Sequence, residues 1–350
     1  MRGSLRIGAH DVGPSHPPFV VAEMSGNYNG DFDRAVAIVD AVAEAGAHAL
    51  KLQTYTADTI TTDADTPAFR VSEDHPLWGG TTLYELYRRA HTPWDWHAPL
   101  FERARAKGLA VFSSPFDATA VELLESLDAP AYKIASAEIV DLPLVECCAR
   151  TGKPLLISTG MASVAEIEAA VRTARRAGND QLVVLGCTAD YPADPAESNL
   201  RGLPLLAGVT DALVGLSDHT PGIGAPVAAV ALGACVIEKH VTLARGDGGV
   251  DADFSLVPDE LAALVTETRR GWQALGEPVL GPTPGEREGL RMRRSLYVVA
   301  DVRVGDSVTS TNVRSIRPAG GLPPGELGVV LGRTFRADAV KGTPLTWDLL

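Results

Sequence analysis

The sequence is short of positive charge: 31 lysines and arginines stand against 44 aspartates and glutamates, a formal net charge of −13. A surface that tracks nucleic-acid phosphates needs the opposite balance, so nucleic acid is excluded as a partner, and an anionic ligand would have to be held by local lysines against the overall field. Cysteine is scarce as well. Cys147, Cys148, Cys187 and Cys235 show no CxxC spacing, and the first two are neighbours that pair only under strain, so free, buried thiols in a reducing compartment are expected. Long apolar runs are missing: the longest, roughly from Ala225 to Ile237, falls short of the ~18 residues of a membrane span. No apolar segment of the signal-peptide kind follows the N-terminal charges, and the expectation is a cytoplasmic protein that engages no membrane. No internal repeat or low-complexity tract is evident.

What is present is an ordinary globular composition, 45% hydrophobic and 21% charged. Single cores rarely grow beyond about 250–300 residues, so 350 residues suggest a large domain with or without a small one. Short apolar runs rich in β-branched residues alternate with helical patterns. Strands are predicted at Phe19–Glu23, Ala49–Gln53, Ala110–Ser113, Ala131–Ile134, Leu155–Ser158, Leu182–Leu185, Val214–Ser217 and Val236–His240. Helices are predicted at Asp33–Ala45, Trp94–Lys107, Ala118–Leu127, Val164–Ala177 and Gly222–Leu232. Eight βα units over roughly 275 residues have the length and count of a (β/α)8 TIM barrel, an α/β fold. Ser163 with Glu166 reads as a capping box, and Gly46, Gly108 and Gly178 sit where helices should stop. Residues 1–275 are thus assigned to the barrel and 276–294 to a linker, since Gly276–Gly289 is rich in Gly, Pro and Glu without periodicity. Residues 295–350 form a small module of short strands and turns. An insertion from Tyr55 to Pro93, with Trp78, Tyr84 and Tyr87, followed by Trp94, suggests an aromatic lid.

In such a barrel the active site lies at the C-terminal ends of the strands. Polar groups collect there: Glu23, Lys51 and Gln53, Ser113 and Ser114, Lys133 with Ser136 and Glu138, and Ser158 and Thr159. Cys187 and Thr188, Ser217, Asp218 and His219, and Glu238, Lys239 and His240 complete the set. Charges at the ends of apolar strands are costly unless paired, so internal ion pairs closing the mouth are one explanation and a catalytic centre is the other. His219 and His240 end consecutive strands. Either they are hydrogen-bonded structural residues or, flanked by Asp218 and Glu238, they form a metal site whose remaining positions fall to water, carboxylate or substrate oxygen. Lys51 and Lys133 with Ser136, Ser158 and Ser217 suit a phosphate-and-carboxylate cradle. The alternatives are a Schiff base on Lys133, or a Lys133 paired with Glu138 or Glu23.

Together these segments carry a resemblance. Val21-Ala-Glu-Met-Ser-Gly-Asn-Tyr-Asn-Gly, Gly46-Ala-His-Ala-Leu-Lys-Leu-Gln-Thr, Tyr132-Lys-Ile-Ala-Ser-Ala-Glu, Ile157-Ser-Thr-Gly-Met, Cys187-Thr-Ala-Asp-Tyr-Pro, Gly215-Leu-Ser-Asp-His and Ile237-Glu-Lys-His resemble, nearly end to end, the sialic acid synthase family. Leu77-Trp-Gly-Gly, Thr82-Leu-Tyr-Glu-Leu-Tyr, His91-Thr-Pro-Trp, Phe112-Ser-Ser-Pro-Phe-Asp and Asp247-Gly-Gly lean toward its pseudaminate branch. Ser315-Ile-Arg-Pro and Leu331-Gly-Arg resemble its antifreeze-like (SAF) domain. The resemblance implies condensation of phosphoenolpyruvate with an aminosugar, a 2,4-diacetamido-2,4,6-trideoxyhexose on the pseudaminate reading, with a divalent ion, Mn2+ or Mg2+, as cofactor. It implies that His219 and His240 hold the metal, and that Lys51, Lys133, Ser136, Ser158 and Ser217 hold phosphoenolpyruvate. Glu23 is then the acid/base residue, its charge expected to be independent of the cradle. Gln53, Tyr191, Asp251 and Glu138 lie near the sugar or the metal-bound water, Glu138 as a catalytic candidate, and Thr188 is a further substrate-binding candidate. It also implies a domain-swapped homodimer in which Arg317 reaches the partner's sugar. Where neuraminate synthases carry asparagine after Cys-Thr, this chain has Ala189, a departure that bears on the phosphate contact there. Two other classes stay open: a Schiff-base aldolase, and a non-catalytic sugar- or ice-binding protein. Arg303, Asp306, Arg314 and Arg317 fit ice poorly.

Overall fold

The computed structural model describes residues 3–72 and 79–350, and the chain divides into two compact units between Gly276 and Glu277. The first opens with a hairpin, β1 (Leu5–Ile7) and β2 (His10–Val12). Eight parallel strands follow and close into a barrel: β3 (Phe19–Glu23), β4 (Ala49–Thr54), β5 (Ala110–Pro115), β6 (Tyr132–Ile134), β7 (Leu155–Ser158), β8 (Leu182–Cys187), β9 (Leu213–Asp218) and β10 (Val236–His240), with β10 returning to β3. This is the TIM barrel anticipated from the alternating pattern.

Around it lie α1 (Phe32–Glu44), α4 (Trp94–Ala106), α5 (Ala118–Ser126), α6 (Leu142–Arg150), α7 (Val164–Arg176), α8 (Leu203–Thr210), α9 (Gly224–Ala231) and α10 (Pro258–Leu275), with α2 (Ala57–Ile60) and α3 (Leu83–Ala90) inserted after β4. Three of the enclosing helices, α6, α8 and α10, escaped the sequence pattern. The stretch Leu203–Thr210 is apolar nearly all round, so it shows no amphipathic period. The capping box of α7 is present: the Ser163 N–H donates to Glu166 at 2.7 Å, and Glu166 N–H returns to Ser163 Oγ at 3.4 Å. Gly46 and Gly108 end their helices with φ of +80° and +84°, a conformation that costs other residues about 1–2 kcal/mol.

Two-residue alternation sorts every barrel strand into an outward and an inward row. Val20, Leu50, Val111, Ile157, Val184 and Ile237 face the helices in the larger apolar core. Phe19, Val21, Ala49, Phe112, Leu156, Val183 and Val236 face inward and fill the barrel floor, where Ile7 and Val12 of the hairpin join them at 0% exposure. A plugged floor leaves the opposite end, where the inward row turns polar, as the place for a site. Among the described residues no helix is long and apolar enough to cross a membrane.

The second unit pairs β11 (Ser295–Val298) with β12 (Val313–Ile316) and adds α11 (Leu327–Val330) around Leu296, Val298, Val313, Val330, Phe335 and Leu345. Of the expected linker 276–294, residues 276–289 are exposed throughout, and short 3-10 turns run at Pro284–Glu286 and Glu288–Met292.

Candidate active site

The inward parity continues past the apolar layer and delivers Lys51, Gln53, Ser114, Lys133, Ser158, Cys187, Ser217, His219, Glu238 and His240 to a cavity of about 540 Å³, within the usual range for small-ligand pockets. Strand register sets Lys51 opposite Glu23 and Glu23 opposite His240, and sets Cys187 opposite Ser217 and Ser217 opposite Glu238. The same parity removes three groups expected at the mouth. Ser113 turns outward to Thr54 Oγ1 at 2.6 Å. Asp218 and Lys239 also turn outward, where Lys239 Nζ meets Asp218 at 2.8 Å and donates to the Thr220 carbonyl. Asp218 therefore does not flank the histidines.

The centre of the cavity is a buried charge cluster. Glu238 Oε1 lies 3.6 Å from Lys51 Nζ and 3.5 Å from Lys133 Nζ, and accepts from Ser217 Oγ at 3.1 Å. Burial opposes the Glu238 charge, yet the ammoniums of Lys133 and Lys51 outweigh it and hold the carboxyl well below the usual carboxylate range. Burial pushes Lys51 down to about 8, and Glu238 pulls against that shift. Lys51 is also ion-paired with Glu23, whose other oxygen accepts from the Ser25 N–H at 2.9 Å. Glu23 thus belongs to the cradle, contrary to the expectation that its charge is independent of it. At 0% exposure it lies behind Lys51. Lys133 pairs with Glu238 rather than with Glu23 or Glu138. Ser158 Oγ, buried beside these groups, has no hydrogen-bond partner among the described residues, as expected of a hydroxyl that meets a ligand.

The histidines form a second patch. Their ring centroids are 5.2 Å apart, with Tyr191 4.3 Å from His219 and Phe254 5.0 Å from His240. His219 Nδ1 donates to the Thr188 carbonyl at 2.8 Å, which leaves the Nε2 lone pair available. Burial, with His240 adding to it, lowers its pKa to about 3 and keeps it in the neutral form that binds metals. His240 Nδ1 is buried without a hydrogen-bond partner among the described residues, and the Asp251 carboxylate faces it with Oδ2 at 3.4 Å, the side on which carboxylates stand behind metal-binding histidines. Among the described residues no three His, Cys, Asp or Glu side chains gather as a closed metal cluster. The donors present instead fit an open site of two imidazoles, with water and ligand oxygens completing the coordination.

A third patch is apolar: Tyr55 packs edge-on against Tyr87 at 5.7 Å and Phe116 at 5.1 Å, with Leu86 and Ala90 of α3 alongside. Of the aromatics expected as a lid, Tyr87 lines the cavity, Tyr84 donates to Asp58 instead, and Trp94 donates to the Tyr55 carbonyl. Leu77 and Trp78 lie outside the described residues.

Ser136, Tyr191 and Asp251 also line the cavity, whereas Thr188 serves through its carbonyl behind His219. Glu138 is half-buried on the turn after β6 and does not line the cavity, its carboxyl raised by burial. Arg317 is exposed just after β12 in the second unit. At Gly160 a side chain would start 2.7 Å from Ser136 Oγ and 2.9 Å from Ala189 Cβ, so position 189 faces the Ser136 turn. By sequence, Glu238 was expected only to flank the histidines at the barrel mouth, not to join the two lysines, and no role fell to Ser25. Glu238 could have been found by parity, since it lies two residues before His240; Ser25 carried no signal by type or spacing.

A model of the NeuB family matches residues 38–279, and a SAF domain model matches residues 293–350. The chain belongs to the NeuB family. Within it, the chain is 40% identical to a pseudaminic acid synthase of Helicobacter pylori over 334 residues, 95% of this chain and 97% of that protein. It is 34% identical to an N,N'-diacetyllegionaminic acid synthase of Legionella pneumophila over 346 residues, covering 97% of each. The crystal structure of an N-acetylneuraminic acid (sialic acid) synthetase from Leptospira borgpetersenii serovar Hardjo-bovis in complex with citrate superposes with a TM-score of 0.73 at 32% identity, over 82% of this chain and 95% of that one.

Proposed function

We propose that this NeuB-family chain is a pseudaminic acid synthase, joining phosphoenolpyruvate to a 2,4-diacetamido-2,4,6-trideoxyhexose with release of phosphate. The observation that carries the reading is the juxtaposition of three patches in one cavity: the lysine pair, the histidine pair and the apolar wall of Tyr55, Leu86, Tyr87 and Phe116. An anion with an enol, an aldehyde and a deoxygenated C6 methyl each find a matching surface.

Lys51 and Lys133 hold the phosphate and carboxylate of phosphoenolpyruvate, with Ser136, Ser158 and Ser217 as hydroxyl partners, and fix its C3 toward the sugar. His219 and His240 would hold a divalent ion, Mn2+ or Mg2+, which supplies polarisation of the sugar aldehyde. Gln53, Tyr191 and Asp251 orient the open-chain sugar. The new bond forms between C3 and the aldehyde carbon, leaving positive charge at C2. As Lys51 turns to the phosphate, Glu23 loses its ion-pair partner and becomes the base that takes a proton from the water adding at C2. Cleavage of the C2–O bond then releases phosphate. The reading includes a homodimer in which the second unit brings Arg317 over the partner's barrel, as the family resemblance implies, with guanidinium donors for the sugar.

Phosphate release is to be measured with a panel of 2-acetamido and 2,4-diacetamido sugars, with and without chelation. The expected result is the highest kcat/KM for the 2,4-diacetamido-trideoxy sugar, loss of turnover on chelation and recovery with Mn2+ or Mg2+. A higher kcat/KM for N-acetylmannosamine overturns the substrate assignment. Full activity without metal, with borohydride trapping at Lys133, overturns the mechanism.

A further inference from the structure

We infer that Ser25 is a positioning residue that assembles the metal-holding half of the site, acting through Asp251 on His240; this rests on the metal reading above. Three contacts converge on it. Its hydroxyl donates to Asp251 Oδ2, the same oxygen that lies 3.4 Å from His240 Nδ1. It receives Gln53 Nε2 at 3.5 Å. Its N–H donates to Glu23 Oε1 at 2.9 Å. One residue thus touches the carboxylate behind a histidine, a sugar-binding candidate and the acid/base candidate.

The backbone indicates that this placement is selected rather than incidental. Ser25 has φ of +48°, the left-handed region, where a residue with a Cβ is strained by about 1–2 kcal/mol relative to the right-handed form. Glycine would take the conformation without strain. A serine here gives up local stability and brings only a hydroxyl; the residue is 4% exposed and its hydroxyl is aimed at Asp251.

The Asp251 carboxylate has few other anchors. Its backbone N–H reaches Asn27 Oδ1 at 3.3 Å and its carbonyl accepts from Ser255 Oγ at 2.5 Å, so the main chain is pinned. The side chain is oriented by Ser25. With the hydroxyl in place, Oδ2 is held 3.4 Å from His240 Nδ1, a buried nitrogen with no hydrogen-bond partner among the described residues, and its negative charge favours the proton on Nδ1, which leaves Nε2 as the ligand atom. Without it, the carboxylate is free to rotate and His240 loses its tautomer preference.

The test separates the hydroxyl from the backbone. Ser25→Gly removes the hydroxyl and relieves the strain, while Ser25→Ala removes the hydroxyl and keeps the strain. Mn2+ affinity is measured by isothermal titration calorimetry on the full-length protein without substrate, alongside thermal unfolding. Loss of a group oriented behind a metal ligand costs about 10–100-fold in affinity, and both variants should show that loss although Ser25→Gly is the more stable of the two. If either variant binds Mn2+ as the parent does, or if affinity follows stability rather than the hydroxyl, the assignment fails. A parent protein that binds no Mn2+ overturns the metal reading and this inference with it. Because no sugar is present, the result is independent of which aminosugar is the substrate.

Discussion

Replacing Glu238 by glutamine would remove one charge from the centre of the site while keeping its shape. The carboxylate lies 3.6 Å from Lys51 and 3.5 Å from Lys133, and all three side chains are nearly fully buried. The two ammoniums hold this carboxyl well below the usual carboxylate range. Removing one partner of a buried pair costs about 3–5 kcal/mol, because the charge left behind stays desolvated. Lys51 retains Glu23, so the uncompensated ammonium is Lys133. A loss of about 3 kcal/mol lowers the unfolding midpoint by roughly 6–12 °C for a domain of this size. A buried lysine whose folded pKa is depressed binds fewer protons folded than unfolded, so stability rises with pH between the folded value and about 10.5. Glu238 raises the Lys51 value, which lies lower still without it, so the deficit of Glu238→Gln should be present at neutral pH, narrow as pH rises to about 8 and change little above that. Thermal unfolding by circular dichroism over that range checks it. A variant that melts within about 2 °C of the parent at neutral pH, or whose deficit ignores pH, would show that the cluster is not a coupled ion pair.

Three other outcomes are expected. His48 Nδ1 accepts the Val20 N–H at 3.0 Å, and burial, with His10 and Arg269 nearby, lowers its pKa to about 4. The neutral ring contributes up to about 3 kcal/mol that is present above about pH 6.5 and lost as pH falls toward 4. His48→Asn keeps an acceptor that does not titrate and should flatten that slope in acid-unfolding curves; an unchanged acid midpoint counts against it. Asp218→Asn strands the buried Lys239 and should cost about 3–5 kcal/mol in urea unfolding while leaving the pH profile of activity unchanged, since both groups face away from the cavity. Glu23→Gln and Arg317→Ala chains, each inactive alone, should regain activity when refolded together, because mixed dimers contain one unmutated site if sites form across subunits; mixed dimers without activity would assign the second unit to its own barrel.

Much of this architecture is legible in the amino-acid sequence. Local patterning announces eight strands, and glycines and a capping box mark helix ends, because these depend on neighbours within a few residues. The strand at Phe19–Glu23 and the pair His219 and His240 could be placed from sequence for that reason. Parity along each strand also contained the division between Glu238 and Lys239, although only a closed barrel says which parity is inside. What tertiary structure alone decided is pairing between distant segments. Ser25 meets Asp251 across 226 residues, and Glu23 meets Lys51 because β3 and β4 align in one register. Asp218 is turned from a presumed metal neighbour into the partner of Lys239 by the side of β9 it occupies. Such contacts are set by how a whole barrel closes, and the energies that fix them, burial of charge above all, exist only once the chain has excluded water from its interior.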